Sequence, residues 1–193
     1  MSGPPIASTC MSDALEIVPY DAEWPLRFEA ERERIAVALG PLALRIEHNG
    51  STSVPGLAAK PVIDIQISVA VLHPVDAYAL GLTALGYIHV PHADDACCPF
   101  FHRPRRWPHT HHVHVVRAGG TEERRTLAFR DYLRAHKSIA QKYEALKRRL
   151  ASQCNAEEFA SRQAYADAKG EFIEDVIARA LAAGYPRELP SSA

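Results

Sequence analysis

A glycine-serine turn followed by an isolated aspartate gives this chain a pattern suited to phosphate chemistry. Gly50 and Ser51 open the segment GSTSVPGLAAKP, which offers backbone N–H groups and the hydroxyls of Ser51, Thr52 and Ser53 to an anion. Asp64 lies downstream in the apolar run VIDIQISV, and a carboxylate there can hold a divalent cation against a bound phosphate. We therefore predict a site for a metal-bound nucleotide or another small phosphoester.

Each of these residues also has a structural interpretation. Gly50 and Ser51 can form a plain turn between two strands. Asp64 can be a metal ligand and catalytic residue, or an acid that pairs with Arg45 or Lys60. Lys60 itself can contact phosphate, or it can be a solvated side chain before a proline.

Strand periodicity decides which side chains can meet. Side chains alternate along a strand, so Asp64 and Gln66 lie opposite the isoleucines of VIDIQISV. The same alternation in HVHVV places His112 and His114 on one face, and in RIEH it places Glu47 opposite the isoleucine. One face of each strand is therefore core, and the other is a polar site or solvent.

The elements that must position these residues change character along the chain. Asp21 is placed to cap a helix that precedes the strands and is predicted to stop at Gly40-Pro41, with an inner stripe of Trp24, Phe28, Ile35 and Leu39. The run HPVDAYALGLTALG predicts a second helix between the strands. From Thr121 onward the periodicity is helical only, in three amphipathic segments that must cover a sheet or one another. We predict an α/β (α+β) domain over residues 14–185, with a flexible tail at residues 1–13 and another at residues 186–193.

Composition excludes several classes of protein. The net charge of -1 over 193 residues gives no excess of cations for general nucleic-acid binding. No uncharged run is long enough to span a bilayer, and no secretory signal opens the chain, so we expect a cytoplasmic protein. The four cysteines lack the spacing of a disulfide framework and are expected to be reduced thiols. The sequence does not indicate an oligomeric state.

The run RIEHNGSTSVPGLAAKPVIDI resembles the GrpB family, also called UPF0157. VPYDAEWPLRFEAE before it, and HVHVV, LAFRDYLRAH and YEALKRRLA after it, extend the resemblance over about residues 17–177. The resemblance implies a nucleotidyltransferase-like fold, with a small mixed sheet flanked by helices and a helical C-terminal part. It also implies that Gly50 and Ser51 cradle a triphosphate and that Asp64 is the first metal-binding acid on the next strand.

The second acid of the superfamily is replaced in this chain. Gln66 stands where an aspartate or glutamate is expected, and an amide is a weak Mg²⁺ ligand. Another ligand set is Asp64 with His112, His114 and Glu47, which would suit Zn²⁺, Mn²⁺ or Fe²⁺ better than Mg²⁺. We expect a divalent metal at Asp64. The resemblance favours Mg²⁺ or Mn²⁺ over Zn²⁺, and the histidine-containing ligand set is the alternative that would admit Zn²⁺.

Three functions are compatible with these residues. The first is metal-dependent nucleotidyl transfer to an unknown acceptor, with Asp64 as the catalytic residue. The second is a non-catalytic module that binds a nucleotide or phosphate, or assists folding. The third is a metal-dependent phosphoester hydrolase that uses His112 and His114.

Overall fold

The computed structural model describes residues 15–187, except for the side chains of residues 93 and 94. The predicted N-terminal tail lies outside this range, as does all of the predicted C-terminal tail except residues 186 and 187. The first part of the chain forms α1 (Trp24–Leu39), β1 (Arg45–Asn49), β2 (Ile63–Val69), α2 (Asp76–Ala84), β3 (Ile88–His89), β4 (Phe100–Arg103) and β5 (His111–Arg117). The remainder is helical, with α3 (Thr121–Ala135), α4 (Lys137–Ala151), α5 (Phe159–Asp167) and α6 (Gly170–Ala182).

The strands form one five-stranded mixed sheet in the order β1-β2-β5-β4-β3. β2 and β5 are parallel neighbours at its centre, and every other pair is antiparallel. In this register Asp64 lies beside His112, and Gln66 lies beside His114. The fold is therefore the predicted α/β class, with a mixed sheet flanked by helices and a helical C-terminal part.

One face of the sheet packs on α1 and α2. The isoleucines of β2, with Val113 and Val115 of β5, are buried in one cluster with the apolar stripe of α1, which contains Trp24, Phe28, Ile35 and Leu39. Gly40, which has a φ of +51°, ends α1 as its sequence predicted. Burial of this stripe stabilises the packing of α1 on the sheet.

The opposite face is polar, as the alternation predicted, but helices cover it. Glu123 of α3 is fully buried and accepts hydrogen bonds from Arg45 of β1 at 2.6 and 2.9 Å and from the Ser68 hydroxyl of β2. Arg130 of α3 donates to the Glu47 carboxylate of β1 at 2.7 Å. These contacts join α3 to the sheet by paired charges, since an unpaired charge is costly to bury.

The last of the three predicted helical segments is two helices in the structure. α5 ends at Asp167 and α6 begins at Gly170. Tyr165 of α5 packs in a cluster with Leu15 and Cys154, whereas Val176 of α6 packs in a different cluster. The break between α5 and α6 therefore coincides with the change from one apolar cluster to the other. None of the helices within residues 15–187 combines the length and the apolar composition of a membrane span.

Candidate functional site

A cavity of about 460 Å³ lies between the polar face of the sheet and the C-terminal helices. It is lined on one side by the turn after β1 and by β2 and β5, and on the other by α3, α4, α5 and α6. Six of the residues singled out in the sequence line it together: Gly50, Ser51, Lys60, Asp64, His112 and His114. The fold thus brings the predicted phosphate-binding turn and the strand aspartate into one space.

Gly50 is fixed by its contact with Asp64. Its φ is +66° and its ψ is -171°, a combination that residues with a side chain almost never adopt. A Cβ on Gly50 would lie 2.7 Å from the Asp64 Cγ, closer than any real contact of this kind. Glycine is therefore required here because the turn passes directly over the aspartate.

The three hydroxyls predicted to bind phosphate are placed differently. Ser51 lines the cavity and is hydrogen-bonded to Tyr143. Thr52 is buried, and its hydroxyl donates to the Val62 carbonyl at 3.2 Å. Ser53 donates to the Gly50 carbonyl at 2.7 Å. Thr52 and Ser53 therefore shape the turn from within, and neither lines the cavity.

Arginines of α3 support the turn from outside the cavity. Arg134 donates two hydrogen bonds to the Ser53 carbonyl, at 2.9 and 3.0 Å. Arg130 is buried and bridges Glu47, Asp131 and the His48 carbonyl. Both arginines also pair with Asp131, and neither lines the cavity. They therefore hold the backbone on which the turn is built.

Asp64 is the acid end of a hydrogen-bonded chain of side chains. His112 donates from Nδ1 to the Asp64 Oδ1 at 3.1 Å, and the other nitrogen of His112 is 3.1 Å from Nδ1 of His109. Burial alone would raise the pKa of the Asp64 carboxyl, but the His112 hydrogen bond and the nearby charge of Lys60 lower this pKa to about 2. Asp64 is therefore ionised across the physiological range, and both ring nitrogens of His112 are engaged.

His114, the last histidine of β5, is neutral at physiological pH. Burial lowers the pKa of His114 to about 4, and the attraction of Asp64 only partly offsets this effect. Its Nδ1 lies 3.7 Å from the Cys98 sulfur, which also lines the cavity. His114 thus presents a neutral imidazole to the cavity.

The residues present do not fit a pair of catalytic metal ions. Gln66 is fully buried and its amide oxygen accepts from Thr126 and Asn49, so the position of the second acid is closed beneath α3. Glu47, a predicted ligand, is held by Arg130 and does not line the cavity. Within the described residues, no three His, Cys, Asp or Glu side chains are arranged to hold a metal ion. Asp64 is the carboxylate that remains, and two-metal chemistry needs more negative ligands.

Two residues that line the cavity were not assigned from sequence. Lys147 of α4 is 3% exposed and lines the cavity, although lysines of amphipathic helices usually lie at the surface. Lys169, in the break between α5 and α6, lines it as well. Lys147 follows Tyr143 by one helical turn on the apolar stripe of α4, and a lysine on such a stripe was a usable signal. Nothing local in the sequence marked Lys169.

Together the fold and the cavity define an α/β protein with a glycine-serine turn set over a strand aspartate. The chain belongs to the GrpB family, whose model, described as GrpB protein, matches residues 14–179. A UPF0157 protein of Halalkalibacterium halodurans is 39% identical, over 88% of this chain and 84% of that protein. The crystal structure of the conserved protein GrpB from Enterococcus faecalis is 33% identical and superposes with a TM-score of 0.75, covering 86% of this chain and 97% of that one.

Two further matches are weaker or partial. A dephospho-CoA kinase of Mycolicibacterium paratuberculosis is 31% identical over 86% of this chain, which corresponds to 46% of that protein. The Cid1 poly(U) polymerase is 13% identical and superposes with a TM-score of 0.49 over 72% of this chain, which is too low to support an inference.

Proposed function

We propose that this protein binds a small phosphoester, of which a nucleotide is the best example, in the cavity beside Gly50 and Asp64. The observation that carries the proposal is the convergence of Lys60, Lys147 and Lys169 on the space in front of the glycine-serine turn. Ammonium groups and exposed backbone N–H groups are the donors by which proteins hold phosphate.

The remaining lining suits the part of the ligand that is not phosphate. Aromatic and apolar side chains of α3, α4, α5 and α6 supply most of the surface there: Phe129, Tyr143, Tyr165, Ile173 and Ile177. Ligand sites commonly combine such a surface with a few convergent polar groups. A nucleoside, with a flat base and a polar phosphate end, matches both parts of the cavity.

The test is a thermal-shift titration of the full chain with nucleoside mono-, di- and triphosphates, each with Mg²⁺, with Mn²⁺ and with EDTA. A ligand present at about 100 times its Kd stabilises the native state by about 2.7 kcal/mol, which raises the Tm by roughly 5–11 °C for a chain of this size. Ser51→Ala should reduce the shift because Ser51 lines the cavity. Ser152→Ala is the matched control, since Ser152 is exposed at the end of α4. No shift with any nucleotide or phosphate would refute the proposal.

Nucleotidyl transfer is a second candidate, supported by the position of the ionised Asp64 under the glycine-serine turn. It predicts release of pyrophosphate from a nucleoside triphosphate, and loss of that release in Asp64→Asn. Binding without any pyrophosphate release, across a panel of acceptors with Mg²⁺ or Mn²⁺, would favour the binding module. The hydrolase hypothesis gains no support from His112, because both of its ring nitrogens are engaged by Asp64 and His109.

A further inference from the structure

The cavity holds more positive than negative side-chain charge. Lys60, Lys147 and Lys169 line it, and Asp64 is the acid in its described lining. The nearby histidine His114 has its pKa lowered to about 4 by burial, so at neutral pH it adds no positive charge. With its lysines protonated, the cavity therefore carries an excess of about two positive charges, the charge of one divalent cation.

Neutral groups contact the ammonium groups of Lys147 and Lys169. Lys147 donates to the Ala58 carbonyl, and its Nζ lies 4.9 Å from the centre of the Tyr143 ring. The Nζ of Lys169 lies 4.3 Å from the centre of the Tyr165 ring. Aromatic faces and carbonyls hold an ammonium in place but do not neutralise it.

Burial of these two lysines costs free energy in the ligand-free protein, although Glu144 and Asp64 attract Lys147 and Asp64 attracts Lys169. Loss of hydration, followed by repulsion from Lys169, lowers the pKa of Lys147 to about 7. Loss of hydration, followed by repulsion from Lys60, lowers the pKa of Lys169 to about 8. The pKa of each lysine stays lowered despite these carboxylates, so an anion bound in the cavity that both lysines line would reduce the remaining cost.

We propose that Lys147 and Lys169 neutralise the ligand's phosphates directly, so that the phosphoester binds without a divalent metal ion. This inference rests on the proposed function and specifies how its ligand is held. It also explains the closed position at Gln66, since a site that neutralises phosphate with lysines has no need of a second acid.

The experiment is isothermal titration calorimetry of the full chain with pyrophosphate, ADP and ATP, in EDTA and in Mg²⁺. We expect the Kd measured in EDTA to be at most about threefold higher than the Kd measured in Mg²⁺. Lys147→Met and Lys169→Met should each weaken binding by at least about tenfold, because each removes a charge that contacts the phosphates in a buried site. Lys142→Met is the matched control, since Lys142 is exposed on the same helix as Lys147.

A second readout follows proton uptake. Titrations at pH 8 in two buffers of different ionisation enthalpy should show that protons are taken up on binding, because the anion raises the pKa values of Lys147 and Lys169. The uptake should fall at pH 6, where both lysines are already protonated in the free protein.

The methionine in each lysine variant keeps the apolar part of the side chain, and circular dichroism verifies that each variant is folded.

The outcomes separate the two proposals. Binding that is lost in EDTA and restored by Mg²⁺ would overturn the metal-free inference and leave phosphoester binding intact. Unchanged affinity in both folded lysine variants would overturn it as well. Failure of pyrophosphate, ADP and ATP to bind with or without Mg²⁺ would instead overturn the proposed function.

Discussion

Replacing Gly50 with alanine should destabilise the protein and disturb Asp64 at the same time. The backbone at Gly50, with φ +66° and ψ -171°, lies in a region that costs a residue with a side chain about 1–3 kcal/mol. The new methyl group would lie 2.7 Å from the Asp64 Cγ and 2.8 Å from its Cβ, and overpacking of this kind costs about 1–3 kcal/mol. We expect a loss of roughly 2–6 kcal/mol, or a fall in Tm of about 4–24 °C.

Gly56→Ala provides the matched control within the same connection. Gly56 also has a positive φ, +77°, but a Cβ there would meet nothing within 4 Å. Gly56→Ala should therefore lose only the backbone part of the penalty. The difference between the two variants in urea-induced unfolding isolates the contact with Asp64.

A double-mutant cycle tests that contact directly. Asp64→Gly removes the atoms that the new methyl group would strike, so Gly50→Ala should cost about 1–3 kcal/mol less in that background than in the wild-type protein. Equal losses for Gly50→Ala and Gly56→Ala, together with no coupling between positions 50 and 64, would refute the argument that the turn must pass directly over the aspartate.

Three further predictions concern charges around the cavity. Asp64→Asn should lower the free energy of unfolding at pH 7 by on the order of 2 kcal/mol, because the His112 hydrogen bond lowers the Asp64 pKa from 3.8 to about 2 against the effect of burial. In acid unfolding, the difference in stability between this variant and the wild type should shrink as the pH falls from 3.8 to about 2. Burial lowers the Lys147 pKa from 10.5 to about 7, so between these pH values the unfolded chain binds more protons than the native state, and the urea midpoint should rise with pH. Lys147→Met should flatten this rise, and an unchanged slope would contradict the lowered pKa of Lys147. Arg134→Lys should lower stability by about 1–2 kcal/mol in calorimetry, since an ammonium cannot reproduce the two-pronged contact with the Ser53 carbonyl, and a wild-type Tm would argue against that support.

Local patterns determined much of this fold from sequence. The period of two in VIDIQISV placed Asp64 and Gln66 opposite the isoleucines, and the structure buries those isoleucines in the core. The stripe beginning at Trp24 and the stop at Gly40 likewise predicted α1. Such features depend on residues a few positions apart, so periodicity and turn chemistry are sufficient to reveal them.

Other properties depended on packing between distant segments. Gln66 shares a face with Asp64, but α3 covers only the former and leaves the latter in the cavity. Glu47 is paired with Arg130, which lies more than eighty residues later in the chain, so its carboxylate is not available as a metal ligand. Alternation predicted the face of the sheet on which Gln66 and Glu47 lie, but not which helix covers each of them.

The chain by itself determined the α/β class, the family resemblance, and the turn and aspartate that begin the site. Only the tertiary structure decided that the site is a lysine-rich cavity, because Lys147 and Lys169 lie roughly a hundred residues beyond Gly50 and meet it through the packing of α4 and α6 on the sheet. The physical reason is the separation along the chain of the residues involved. Side-chain direction follows from the local backbone, whereas charge balance in a cavity is the sum over segments that become neighbours only after folding.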